Sequence, residues 1–141
     1  MEVFRFLRSD EDLKKGLSAK DPDANVSVEK HVVSGTDDGF KSQFISCCKT
    51  LKAALIFAKK SHTYPKRIVK IKIRPSINIL DLTIPDNQMK YFPFNQKAKN
   101  YANKFKEVLI LGDVPPNSLA PPDGWSSVHI PDAAWLLVEG L

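Results

Sequence analysis

The sequence predicts a strand-rich α+β domain. Three observations carry this. Residues 67–73 alternate basic and apolar side chains, the two-residue period of a half-buried strand. Residues 51–60 place Leu51, Ala54, Leu55 and Ala58 at 3–4 spacing behind a capping Thr50, the period of an amphipathic helix. Ten prolines and six glycines in 141 residues cut the chain into short elements and exclude a long helical rod.

The elements follow in order. Val3-Phe4-Arg5-Phe6-Leu7 is a first strand with aromatic residues at alternate positions. Ser9-Asp10-Glu11-Asp12 is a helix-start signal, a capping residue and then acids that suit the N-terminal dipole. The short helix through Leu13 stops near Gly16. Asp21-Pro22-Asp23 is a turn. Ser27 to Val33, containing His31, is either a short helix or an extended segment, and Gly35 to Gly39 is a flexible loop. Ser42 to Cys47 is a compact strand. Helix Leu51 to Lys60 follows, then the alternating strand Arg67 to Ile73 with a basic outer face. Ile77 to Leu82 is another strand, ended by Pro85. Gln96 to Lys104 is a polar, lysine-rich helix and Glu107 to Leu111 an apolar strand that opens on an acid. A turn at Gly112-Asp113-Val114-Pro115-Pro116 leads into a proline-rich loop over 117–124. Ser126 to Ile130 is one more candidate strand, and Ala133 to Val138 is apolar and of either type. Two or three helices are expected, with no internal repeat and no heptads.

Composition excludes several classes. With 43% hydrophobic and 26% charged residues the chain is an ordinary globular one, and its length fits one domain, residues 1–141. No uncharged stretch approaches 18 residues, so no membrane span is expected. The opening Met1-Glu2-Val3-Phe4-Arg5 lacks a basic region followed by an apolar one, so no signal peptide is read. The only cysteines, Cys47 and Cys48, are adjacent, which strains a disulfide between them; two buried or half-buried thiols are expected. His31, His62 and His129 lack ligand spacing, and no P-loop, GxGxxG, HExxH or GxSxG occurs.

The net charge of +5 hides a pattern. Residues 1–58 hold nine basic and nine acidic side chains. Residues 59–106 hold twelve basic against two acidic, a net of +10, and residues 107–141 hold five acids and no lysine or arginine. Such asymmetry points to a phosphate-bearing or acidic partner near the middle segment, where a solvated surface is the ordinary alternative. Lys66, Arg67, Lys70, Lys72 and Arg74 are the candidate anion-attracting residues. Tyr91, Phe92 and Phe94 beside Lys90 and Lys97 are a candidate stacking platform, with core filling around Pro93 as the simpler role.

Polar residues within strands are the candidate chemistry. Arg5 sits inside an aromatic strand, where facing solvent is the default; Ser46 lies at the end of an apolar run; Glu107 opens an apolar strand. Their order, arginine on the first strand, serine just before a helix and glutamate on a late strand, resembles the ADP-ribosyltransferase superfamily. His31-Val32-Val33-Ser34-Gly35 followed by Ser42-Gln43-Phe44-Ile45-Ser46 is similar to a His … Ser-x-Phe-Ile-Ser stretch of transferase-like domains. Ala53 to Ala58 resembles the helix after it, and Glu107-Val108-Leu109-Ile110-Leu111-Gly112-Asp113-Val114-Pro115 resembles the glutamate strand and its turn. The likeness runs from about residue 3 to residue 116.

That resemblance implies a split antiparallel β-sheet with a few short helices, and NAD as substrate. Arg5 would hold phosphate, Ser46 would orient the glutamate and the ribose, and Glu107 would bond the nicotinamide-ribose hydroxyl and stabilise the oxocarbenium-like state as nicotinamide departs, which makes Ser46 and Glu107 the catalytic residues. His31 would contact the adenosine-side ribose or a phosphate. An aromatic against the nicotinamide is expected from Phe44, Phe57 or Tyr64. The expected activity is mono-ADP-ribosyl transfer to a protein or nucleic-acid acceptor, or NAD hydrolysis, by a monomeric toxin or effector module, cytoplasmic or exported, with a neutralising partner. The departures are Ser46-Cys47-Cys48, where relatives carry further hydroxyls, and Phe105, where arginine- and guanine-modifying members carry Gln or Glu. The alternative is a transferase-like module without activity that binds nucleic acid or a protein through its basic middle segment.

Overall fold

The computed structural model describes residues 1–141. Six antiparallel strands form one sheet: β1 (Glu2–Phe6), β2 (Phe44–Cys48), β3 (Ile68–Lys72), β4 (Asn78–Asp81), β5 (Glu107–Leu111) and β6 (Leu119–Ala120), in the order β4-β5-β2-β1-β3-β6. The helices are α1 (Val28–Ser34), α2 (Leu51–Lys60), α3 (Pro85–Tyr91) and α4 (Gln96–Lys104), with 3-10 segments at Leu13–Lys15, Pro116–Ser118 and Asp132–Val138. The chain is therefore α+β, with four α-helices where two or three were expected. None is long and apolar enough to cross a membrane.

The sheet is unevenly joined. β1 pairs with β3 along its whole length, and β2 pairs with β5 from Phe44–Leu111 to Cys48–Glu107. Between β1 and β2, Phe4 opposite Cys48 is the one registered pair. One face buries Val3, Ile45, Cys47, Val69, Ile71, Val108 and Ile110 under the loops that carry Leu17 and Val114. The other face is divided. Over β1 and β3, α2 presses Ala54, Leu55 and Ala58 onto Ile68 and Cys48, with Val138 closing the edge. Over β4 and β5, Val28 of α1 and Ala98 and Ala102 of α4 meet Leu82, Phe92 and Leu109. The seam between these two clusters holds the polar residues described below.

Local signals explain the elements that match expectation. Thr50 accepts from the Ala53 amide and Asn95 from the Ala98 amide, so α2 and α4 begin where the capping residues stand. Ser27 caps α1, which resolves the 27–33 segment as helix. Elsewhere tertiary contacts rule. The expected helix after Ser9 is only a 3-10 turn capped by Asp12, because Glu11 is drawn to Arg5 instead of the helix start. Pro85 does more than end a strand: it occupies the first turn of α3, followed by Asp86, a start signal the sequence reading passed over. Ser126 to Ile130 is not a strand; only Arg67 and His129 form an isolated bridge. The 117–124 loop contains β6, and 133–138 is 3-10 helix. The basic outer face of β3 is partial: Ile68 and Val69 are both buried and only Lys72 is fully exposed on that strand.

Gly16 closes the floor. Its backbone, φ 75° and ψ −164°, lies in a region open to glycine alone, and a Cβ there would sit 2.3 Å from the Val114 carbonyl oxygen. That carbonyl accepts from Leu17, the bond that pins the chain after β5 to the N-terminal turn. Gly16→Ala is expected to destabilise the fold by about 3 kcal/mol or more in urea unfolding. A loss below about 1 kcal/mol would show that this turn is not a fixed part of the fold.

Candidate functional site

Strand alternation puts Ser46 and Glu107 on the same face of the sheet. Cys48 lies opposite Glu107 and Leu109 opposite Ser46, so the two polar residues are diagonal neighbours across β2 and β5. Ser46 Oγ lies 3.4 Å from Glu107 Oε1. His31, on the inner side of α1, comes down over them, its Nε2 2.6 Å from Ser46 Oγ and 4.0 Å from Glu107 Oε1. Its Nδ1 lies 2.6 Å from Ser42 Oγ, two residues before β2.

The hydrogen bonds fix the direction of this chain. Ser46 gives its one proton to Glu107 and so accepts from His31 Nε2–H, and the neutral ring accepts at Nδ1 from Ser42 Oγ, which also accepts from the Phe44 amide. Phe44 packs edge-on against the imidazole at 5.3 Å, so of the three aromatic candidates it is the one beside the polar chain. Phe57 stands in an aromatic row instead, 6.0 Å from Phe6 and 5.3 Å from Phe105. Tyr64 is exposed and lies against Lys66.

Arg5 is buried, at 7% exposure, where a solvent-facing side chain was the default. Its Nη1 donates to the Ser46 carbonyl at 2.6 Å across the gap between β1 and β2. Its Nε and Nη2 engage the Glu11 carboxylate at 3.1–3.2 Å, and Glu11 also accepts from the Arg8 amide at 2.8 Å. The guanidinium fork is thus held by Glu11 rather than open for a phosphate. Glu11 and Ser42 are the site residues the sequence reading missed. Glu11 had looked like a helix-start acid, and nothing local marks a carboxylate for a partner six residues back on a strand.

Burial sets the protonation states. Desolvation raises the Glu107 pKa from 4.5 to about 7, against the opposing pulls of the Ser46 hydroxyl and the Arg5 charge. Desolvation, and then Arg5, lowers that of His31 from 6.5 to about 4, so His31 is neutral at pH 7. Burial pushes Cys47 up to about 12 and Cys48 well above its usual value. Both are free, buried thiols, as expected, and neither is an activated nucleophile.

These shifts oppose one another in stability. Between pH 4.5 and 7 the folded state keeps Glu107 protonated while the unfolded chain ionises it, so this group's contribution falls as pH rises. Between pH 4 and 6.5 the folded state keeps His31 neutral while the unfolded chain protonates it, so its contribution rises with pH. Glu107→Gln removes the first term. The variant is expected to match the native protein near pH 4.5 and to exceed it by about 3 kcal/mol at pH 7 and above in urea unfolding. Parallel stability curves across that range would show that Glu107 ionises normally.

The basic residues of the middle segment divide. Lys66 donates to the carbonyls of Ala58 and Ser61, Arg67 to those of Glu11 and Arg8, and Arg74 to Ser118 and the Asn117 carbonyl. Lys70 bridges Asp123 and Glu2. Of these five only Lys72 is unengaged. The 91–94 aromatics do not make a platform: Phe92 is wholly buried and Phe94 is 98% exposed.

No protein-family model and no curated protein matches the chain. Among solved structures the chain is similar to EcPltA, with a TM-score of 0.61 and 14% identity over 84% of this chain and 71% of that one. At that identity the likeness concerns the fold alone.

Proposed function

We propose that the chain is an ADP-ribosyltransferase-like enzyme that uses NAD as substrate, with Glu107 as its catalytic carboxylate. The observation that carries this reading is the His31–Ser46–Glu107 chain, three polar side chains from a helix and two strands converging in a seam of otherwise apolar packing. The resemblance of the strings around Arg5, Ser46 and Glu107 to the superfamily supports it. So does the single registered pair between β1 and β2, which suits a split sheet.

The chemistry follows from the charges. The bond between ribose C1′ and the nicotinamide nitrogen breaks, its electron pair leaves with nicotinamide, and positive charge develops on the ribose. An ionised Glu107 accepts a hydrogen bond from the ribose hydroxyl and stabilises that charge across a partly desolvated site. Ser46 and the neutral His31 hold the carboxylate in position without bringing a second charge. The acceptor then adds to C1′ and releases a proton; with water as acceptor the same step is NAD hydrolysis. Arg5, fixed by Glu11, braces the Ser46 backbone.

Nicotinamide release from NAD, measured together with NAD binding by calorimetry, tests the reading. Release that Glu107→Gln suppresses, with NAD binding largely kept, is expected. Neither release nor binding by the folded protein would overturn it.

A further inference from the structure

Lys72 is the one unengaged lysine of β3, and four further lysines that no acid pairs lie together elsewhere. They gather around a cavity of about 210 Å3 between α2 and the α4–β5 connection, lined by Thr50, Lys52, Ala53, Ile56, Lys104 and Lys106. No acid lines it, and Lys52, Lys60, Lys104 and Lys106 appear in none of the molecule's ion pairs. Residues 87–106 hold five lysines and no acid, and α2 adds three more with no acid. Lys104 stands close enough to Lys60, as a like charge within hydrogen-bonding reach, to hold its pKa below the usual lysine value. Ammonium groups gathered around one groove without a counter-charge repel one another, and an anion laid between them relieves that repulsion.

A supported aromatic surface adjoins the lysines. Tyr101 is 38% exposed and stacks on Phe105 at 6.2 Å and 18°, and Phe105 is braced by Phe57. The cavity is smaller than the roughly 300 Å3 at which small-molecule sites begin, yet it admits a phosphate group. A phosphate in the cavity with a base on Tyr101 matches how single strands are held: lysines along the backbone and stacking on a rigid ring. An acidic peptide would use the lysines but not the ring.

We propose that the groove between α2 and the α4–β5 connection, lined by Lys52, Lys104 and Lys106 and flanked by Lys60 and Tyr101, binds single-stranded nucleic acid. Lys106 immediately precedes Glu107, and its carbonyl accepts from the Lys49 amide at 2.7 Å, next to Cys48, which faces Glu107. A strand held at Lys106 is therefore anchored one residue along the chain from Glu107. Its role there, as the acceptor of ADP-ribose, rests on the NAD reading; its binding does not.

The test is fluorescence anisotropy with a labelled oligothymidylate of about 12 nucleotides, without NAD, over a salt series. Binding is expected to weaken with salt at a log–log slope of about −2, as for three phosphate contacts on a single strand. The Lys52→Gln/Lys104→Gln/Lys106→Gln variant is expected to bind at least about tenfold more weakly at low salt and to lose most of that slope. Tyr101→Ala is expected to weaken binding about tenfold with the slope kept. Lys72→Gln, on β3, is the control that leaves binding unchanged. No binding at low salt, binding insensitive to the triple variant, or displacement by polyglutamate together with indifference to Tyr101→Ala would overturn the proposal. The last outcome would assign the groove to an acidic protein. Because NAD is absent, failure here leaves the nicotinamide assay unaffected, and failure of that assay leaves this binding unaffected.

Discussion

Glu107→Gln is expected to lower the rate of nicotinamide release from NAD by about a hundred- to a thousandfold while changing NAD affinity only a few-fold. The amide keeps the size of the carboxylate and its place beside Ser46, but it carries no negative charge. Positive charge appears on the ribose only as nicotinamide leaves, so the lost interaction belongs to the transition state and not to the bound ground state. Removing one such electrostatic partner from a preorganised site typically costs about 3–4 kcal/mol of barrier. The native enzyme should carry a matching pH profile. With Glu107 titrating at about 7, kcat/KM is expected to fall about tenfold per unit below pH 7 and to level off above it, as the carboxylate fraction does. His31, titrating at about 4, adds no limb in that range. Steady-state release measured from pH 5 to 9 checks both. A variant as active as the native chain would remove Glu107 from the chemistry.

Removing either member of the Arg5–Glu11 pair is expected to cost about 3–5 kcal/mol of stability, enough to unfold a marginal domain. The two side chains are 8% and 4% exposed and joined by an Nε–H bond shared between both carboxylate oxygens and an Nη2–Oε1 ion-pair contact at 3.1 Å. Glu11→Ala would leave a guanidinium buried with only the Ser46 carbonyl to hold it; Arg5→Ala would leave a buried carboxylate with only the Arg8 amide and the distant Arg8 side chain, at 3.9 Å. Desolvation of an unpaired charge, rather than loss of attraction, sets the size of the effect. Arg5→Met/Glu11→Leu, which removes both charges and keeps the volume, is therefore expected to fold with close to native stability. In that double variant Ser46 loses the brace across the gap, so nicotinamide release should drop although the fold survives. Urea unfolding of the three variants, followed by the release assay on the double, checks this. Near-neutral single variants would mean the pair is solvated.

How much of this was legible in the sequence differs from residue to residue. Helix Leu51–Lys60, helix Gln96–Lys104 and strand Glu107–Leu111 were read to the residue, because a capping side chain or an uninterrupted apolar period is a local signal and those elements obey it. The α+β class follows from the same periods. Strand 126–130 failed for the converse reason: its residues suit a strand, but β3 offers that side of the sheet to Leu119 and Ala120, and only Arg67 remains to meet His129. Helix Pro85–Tyr91 was missed because proline was weighed as a stop and not as a first-turn residue.

By itself, then, the sequence determined the elements, the class, the lysine excess of the middle segment and the order of Arg5, Ser46 and Glu107. Only the tertiary structure decided which of these meet. It turned Glu11 from a helix-start acid into the counter-ion of Arg5, recruited Ser42 to orient His31, and tied Lys66, Arg67 and Lys70 to carbonyls and acids while leaving Lys52, Lys60 and Lys104 without a counter-ion. It also gave Glu107 a proton affinity near neutrality. The reason is physical. Periodicity and capping act over one turn or one strand, and the chain carries them wherever it goes. Ion pairing and desolvation depend on which side chains share the space taken from water, and that is settled only when the fold brings Arg5 to Glu11 and His31 to Ser46 and Glu107.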